Sequence, residues 1–317
     1  MVHSLRISRV LLTASVVFLS LSCQSGGAQN SGLDGAQMLA DVQFLSHDSL
    51  EGRRVGSEGN RMAREYIARS FAAAGVETVE DSYFVPTTIE RRGDTLEAVN
   101  VVGMVPGTVR DGGIMVISAH YDHLGVRDSQ VMNGADDNAS GTAAVMALAK
   151  YFVEHPANNT IFFILFDAEE GGLSGSRGWV RDFGNEIDAI TMNVNLDMVS
   201  HADSTFYVVG THQYPNLKPY VEAVTPHAPV VLKFGHDSPE WTGSDNWTNA
   251  SDHAAFHEVG VPFLYFGVED HPDYHAPTDD FETINPEFYV AAIETVLDVI
   301  LELDMNLGSI QAASPAN

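Results

Sequence analysis

Cysteine is nearly absent from this chain: of 317 residues only Cys23 carries a thiol, so no disulfide can form within it. Positive charge is scarce as well. Sixteen Lys and Arg stand against 43 Asp and Glu, a formal charge of −27, which makes a polyanion such as nucleic acid a poor partner and favours cationic ligands. The apolar stretch from Val10 to Leu21 is too short to span a bilayer comfortably, since a spanning helix needs about 20 residues. No repeat at solenoid periods is present, and no Pro-rich or Gly-rich linker splits the chain. What is there is an ordinary 44% hydrophobic content, enough to pack a sizeable core.

Arg6 and Arg9, the apolar stretch and the small residues Ser20 and Ser22 read as an export signal over residues 1–23. Leu19-Ser20-Leu21-Ser22-Cys23 resembles a bacterial lipoprotein cleavage box, except that Ser20 replaces the usual leucine three places before the cysteine. This predicts an exported protein, periplasmic or anchored to the outer membrane, whose membrane contact is a lipid on Cys23. Cleavage near Gly26 to Ala28 would instead release a secreted, cysteine-free protein. Residues 24–37, rich in Gly, Ser, Ala, Gln and Asn, read as a flexible tether, residues 38–304 as a single folded domain and residues 305–317 as a polar tail.

Met38, Leu39, Val42 and Leu45 keep helical spacing, and Arg61 to Ala74 forms a second amphipathic stretch stopped by Gly75. Strands are expected at Ala98 to Met104, Ile114 to Ala119, Thr160 to Phe166, Ala189 to Leu196, Phe206 to Val209, Val230 to Phe234 and Val261 to Phe266. Helices are expected at Ser140 to His155 and Glu287 to Asp304. The alternation predicts an α/β fold: a mixed, mainly parallel central sheet flanked by helices on both faces.

Metal-type side chains follow these strands. His120 closes one strand, Glu169 and Glu170 follow another, and Asp197 follows a third, which places them at the carboxyl rim where open parallel sheets bind ligands. Asp137 lies in the polar turn Asn133 to Gly141 and His275 in Asp273 to Asp280. His120, Asp137, Glu170, Asp197 and His275 suit two zinc ions if one carboxylate bridges, with Glu169 left as a base. Asp122 is placed to orient the His120 imidazole, and a cis or strained Asp137-Asn138 peptide is a further expectation. Asp136 or Ser140 is expected to serve the helix start, His123 to sit at the rim, and His271 to compete with His275. Tyr274 offers either an oxyanion donor or packing beneath the histidine. Ser251-Asp252-His253 reads as pocket-shaping structure, and Trp241 and Trp247 as core or as the lining of a specificity site.

On Ala119-His120-Tyr121-Asp122, Gly134 to Gly141, Glu169-Glu170 followed by Gly172 to Ser176, Leu196-Asp197-Met198 and Tyr274-His275, the chain resembles the secreted two-zinc exopeptidases that include bacterial leucyl aminopeptidase and aminopeptidase Y. The resemblance covers about Met38 to Asp304 and implies the zinc-dependent exopeptidase fold, a three-layer sandwich of the phosphorylase/hydrolase type. It further implies one zinc on His120 and Asp197, another on Glu170 and His275, Asp137 shared, Glu169 as general base, and peptides with a free amino terminus as substrates. Two rival implications stand beside it: a one-zinc glutaminyl cyclase on the same scaffold, and a non-catalytic binding module. A carboxypeptidase would need a basic pocket, for which Arg53, Arg54, Arg127 and Arg177 are the candidates.

Overall fold

The structure, a computed structural model, describes residues 32–313 apart from 80, 92, 93 and 111. The expected export signal, Cys23 and most of the tether lie outside the described residues. In chain order the helices are α1 (Gly35–Leu45), α2 (Glu58–Ala74), α3 (Gly141–Glu154), α4 (Ser174–Phe183), α5 (Lys218–Val224), α6 (His253–His257) and α7 (Pro286–Ala313). The strands are β1 (Glu77–Thr78), β2 (Phe84–Arg91), β3 (Asp94–Val105), β4 (Ile114–His120), β5 (Gly125–Arg127), β6 (Gln130–Met132), β7 (Thr160–Phe166), β8 (Ile190–Leu196), β9 (Thr205–Val209), β10 (Val231–Phe234) and β11 (Phe263–Gly267).

Nine strands form one sheet in the order β1-β3-β7-β4-β8-β11-β9-β10, with β2 paired to β3. The four central strands β7, β4, β8 and β11 run parallel, while β3 joins β7 and β9 joins β11 antiparallel. The central strands are nearly continuous apolar runs because both of their faces are covered. Met115, Ile117, Ala119, Ile161, Phe163 and Leu165 face the core built with α1, α2, α3, α5 and α7. Their alternates Val116, Phe162, Ile164 and Phe166 face Trp179 and Val180 of α4 and Phe256 of α6.

Polar residues inside these strands are paired sideways. Ser118 Oγ donates to Asn195 Oδ1 at 2.6 Å, Asn193 Nδ2 donates to Ser118 Oγ at 2.9 Å, and Asn195 Nδ2 donates to Ser251 Oγ at 3.0 Å. This ladder fixes β4 against β8 two residues before His120 and Asp197, and ties in the segment that carries Asp252.

Several sequence boundaries move for identifiable reasons. The first helix begins at Gly35, inside the expected tether, because Asp34 caps it by accepting the Gln37 N–H at 3.0 Å. Ser57 likewise starts α2 earlier than expected by accepting the Asn60 N–H at 3.1 Å. At the other end of α2, Gly75 takes φ 86°, which lets Val76 donate back to Phe71 O at 3.0 Å. The last helix does not stop at Asp304: Leu307 and Ile310 continue its stripe into the core, so the expected polar tail is helical through Ala313. Strand β2, rich in Thr and charged residues and containing Pro86, escaped the apolar-run reading. It is held by antiparallel pairing along β3.

Candidate metal centre

Neighbouring strands deliver most of the site. The chain passes from β4 through α3 to β7 on one side, then returns through α4 to β8 on the other, so the strand order reverses at β4. A crevice opens at such a switch point. His120 ends β4, Glu169 and Glu170 follow β7, Asp197 follows β8, and His275 lies in the segment after β11. The turn before α3 brings Asp137 into the middle.

All six side chains line one cavity of about 620 Å³. His120 Nε2 stands 3.3 Å from Asp137 Oδ1 and 3.3 Å from Asp197 Oδ1. On the other side of the same carboxylate, His275 Nε2 stands 3.1 Å from Asp137 Oδ2 and 3.5 Å from Glu170 Oε1. Donors around one tetrahedral zinc, each about 2.0 to 2.1 Å from the ion, stand about 3.3 Å apart. Glu170 Oε1, moreover, is buried without a hydrogen-bond partner. The donor set and its spacing therefore fit zinc.

Asp137 is positioned through its backbone. Asp279 accepts the N–H of Asp136 at 2.9 Å and that of Asp137 at 3.1 Å, and the Asp137-Asn138 peptide is cis. Asn138 donates to Leu196 O at 2.9 Å and accepts the Gly141 N–H at 2.9 Å, so Asn138, not Asp136 or Ser140, supplies the side-chain bond at the start of α3. Gly134 makes the turn possible: its φ is +57°, and a Cβ there would lie 2.1 Å from Asp137 O and 2.6 Å from the His123 ring.

Electrostatics favour a cation throughout the cavity. Burial alone would push His275 down, yet hydrogen bonding and charge from Asp137 and Glu170 hold it at about 10. Burial pushes Glu169 well above its ordinary value; His120 opposes this, while Asp252, Asp197 and Glu170 add to it. Asp252 itself is fully buried, with neither carboxylate oxygen hydrogen-bonded, and burial raises it to about 7. Beneath the cage lies Arg53, lowered by burial to about 10 and held up by Asp137, Asp279, Asp122 and Glu170.

The structure corrects several expectations. His123 is not at the rim. It is 1% exposed, and its Nδ1 stands 2.7 Å from Glu170 Oε1 without hydrogen-bond alignment, because the chain stays buried from Tyr121 to Leu124, where the Tyr121 N–H still donates to Phe166 O at 2.9 Å. Asp122 reaches the His120 imidazole by its backbone carbonyl, 3.1 Å from Nδ1, with its carboxylate at 3.7 Å. That carboxylate accepts the Glu169 N–H at 3.0 Å, since two residues on from a strand end the main chain is nearer the ring than the side chain. His271 does not compete with His275, because its Nε2 faces Asp136 Oδ2 at 3.1 Å. Arg53 cannot meet a substrate: it donates to the carbonyls of Tyr121, Leu45, Asn133 and Gly134. Arg177 pairs with Glu258 at 2.6 Å. Arg54 and Arg127 line a smaller cavity of about 120 Å³ that shares Glu170 with the main one, and neither lines the main cavity itself.

Tyr274 both stacks on His275, with ring centroids 4.0 Å apart, and lines the main cavity. Trp247 lines it too, stacked on His236 at 3.7 Å. Asp279 and Arg53 were missed as supports of the site. A buried arginine or a backbone-clamping acid leaves no periodic or spacing signal, although the acid pair Asp279-Asp280 shortly after His275 was visible.

An α/β sheet with imidazoles and carboxylates converging at its switch point has the architecture of a metallohydrolase. Residues 100–300 match peptidase family M28, and the chain belongs to that family. It is 30% identical over 215 residues to aminopeptidase YwaD of Bacillus subtilis (strain 168), a match covering 64% of this chain and 44% of that one. The chain spans about half the length of the curated relatives it matches. The zinc aminopeptidase BSAP from Bacillus subtilis shares the fold with a TM-score of 0.69 at 18% identity, over 85% of this chain and 95% of that one. Glutaminyl cyclase from Porphyromonas gingivalis does so with a TM-score of 0.68 at 19% identity, over 84% and 98%.

Proposed function

We propose that this chain is a two-zinc aminopeptidase. The observation that carries the two-ion reading is the Asp137 carboxylate, whose Oδ1 faces His120 and whose Oδ2 faces His275. His120, Asp137 and Asp197 would hold one zinc; Asp137, Glu170 and His275 would hold the other, with His123 near enough to Glu170 to join them. When bound, the ions would activate a water and polarise the scissile carbonyl. Glu169, raised by burial and fixed by its N–H to Asp122, accepts the water's proton and passes it to the leaving amine. Tyr274, at the cavity wall, donates a hydrogen bond to the developing oxyanion.

The substrate class follows from charge. Among the described residues no Lys or Arg lines the main cavity, whereas Asp137, Glu169, Glu170, Asp197 and Asp270 do. With Asp137, Glu170 and Asp197 given to the ions, Glu169 and Asp270 are left to hold a substrate's free α-amine, and no Lys or Arg of the described lining pairs with a terminal carboxylate, so amino-terminal residues are released from peptides.

The test is a product survey on one peptide with a free amino terminus and one with a blocked terminus, alongside an amino-terminal glutaminyl peptide, with zinc counted per chain. Residues released only from the free peptide, with at least two zincs at the centre, support the proposal. Trimming of the blocked peptide would make the enzyme a carboxypeptidase or endopeptidase, cyclised product with one zinc would make it a glutaminyl cyclase, and no turnover at all would make it a binding module.

Export belongs to the same proposal. Arg6, Arg9 and the Val10 to Leu21 stretch ahead of Cys23 support a leader and a lipid anchor. Mass spectrometry of the mature amino terminus tests it, a lipidated Cys23 being expected and an intact Met1 overturning it.

A further inference from the structure

Outside the cavity, two histidines and an aspartate form a second cluster of metal-type donors. His201 follows β8, and His271 and Asp273 precede His275; none of the three lines the main cavity. The imidazoles of His201 and His271 are tilted against each other, with centroids 3.8 Å apart and planes inclined by 36°. Each presents its Nδ1 to the same oxygen, Asp273 Oδ2, at 3.9 Å. Both Nδ1 atoms are buried without a hydrogen-bond partner, and the His271 side chain is only 7% exposed. A buried ring nitrogen left unpaired is costly, and at 3.9 Å the aspartate does not relieve it.

The far side of His271 decides which lone pair is free. Its Nε2 stands 3.1 Å from Asp136 Oδ2 and donates to it, so in the neutral ring Nδ1 is the nitrogen left with a free lone pair. A carboxylate behind an imidazole is the support that metal-ligating histidines receive. From this arrangement we infer that a further divalent transition cation, of which zinc is the representative, binds between His201 Nδ1, His271 Nδ1 and Asp273 Oδ2. Two imidazoles and one carboxylate favour zinc, nickel or copper over calcium or magnesium. The three donor atoms lie within 4.8 Å of one another. A tetrahedral shell needs them about 3.3 Å apart, so Asp273, 23% exposed, must swing in from 3.9 Å and the two Nδ1 atoms must settle to a similar spacing.

The ion would pin the segment after β8 to the turn that carries His275. Asp136 extends the brace, since its Oδ1 accepts both the N–H and the hydroxyl of Ser200 at 2.7 Å.

The test uses the full chain loaded with zinc and freed of excess. Anomalous scattering at the zinc edge should show a peak about 2.0 to 2.3 Å from all three atoms, separate from any at Asp137. His201→Ala should retain one zinc per chain fewer than the wild type, and Asp273→Asn should bind that zinc about tenfold more weakly or worse. Peptidase turnover should persist in both. No peak between His201 and His271, or equal zinc content in the wild type and His201→Ala, would overturn the inference whether or not the Asp137 centre fills. Should either variant fail to fold, the wild-type anomalous map decides alone.

Discussion

Asp279 accepts the backbone N–H of Asp137 at 3.1 Å, and with its other oxygen that of Asp136 at 2.9 Å. The carboxylate at the centre of the site is thus aimed by a clamp on its main chain from a residue 142 positions away. This clamp is the most direct support for the geometry by which Asp137 faces both His120 and His275.

Replacing Asp279 by Asn should loosen that aim, because an amide offers one acceptor oxygen and turns its NH2 towards the remaining N–H. Zinc affinity is expected to fall about 10- to 100-fold, as for other residues that orient metal ligands. Competition with a chelator measures it. Unchanged affinity would mean that Asp279 does not aim the carboxylate.

Glu169→Gln removes a proton acceptor while leaving Asp137, Glu170 and the histidines in place. Zinc content should be retained, and kcat should drop by about 100-fold to 10,000-fold, the usual span for a lost general base. Near-normal turnover in this variant would take Glu169 out of that role.

Arg53→Met should destabilise the fold and not merely the site. Four backbone carbonyls, those of Tyr121, Leu45, Asn133 and Gly134, lose their donor at once in a buried setting. A loss of about 3 to 5 kcal/mol is expected in urea unfolding with metal removed from both proteins. A midpoint shift worth less than about 1 kcal/mol would show that water replaces the guanidinium.

His253 gives the fold a defined acid sensitivity. It is fully buried, its Nε2 lies 2.9 Å from Trp247 O, and burial lowers it from 6.5 to about 3. The unfolded chain takes up a proton near pH 6.5 that the fold refuses until about pH 3, so stability is lost as pH falls through that window. Between pH 7 and 4.5, His253→Gln should lose about 2.5 kcal/mol less than the wild type does. Chelated samples unfolded in urea at the two pH values give the comparison, and parallel losses would exclude His253 as the cause.

The sequence by itself determined which metal-type side chains share one rim and most of the sheet that carries them. Strand runs such as Thr160 to Phe166 are legible because a strand buried on both faces must be apolar at nearly every position, a local requirement. His120, Glu169, Glu170 and Asp197 were legible for a related reason: each follows such a run, so their shared rim is implied by chain direction alone. Tertiary structure decided what depends on partners distant in sequence. It buried His123 against Glu170, committed Arg53 to backbone carbonyls, sent His271 to Asp136, extended α7 through Leu307 and Ile310, and set Asp279 behind Asp137. Residue type and spacing say what a side chain can bind. Which of its eligible neighbours it meets is fixed only when the whole sheet and its helices are packed.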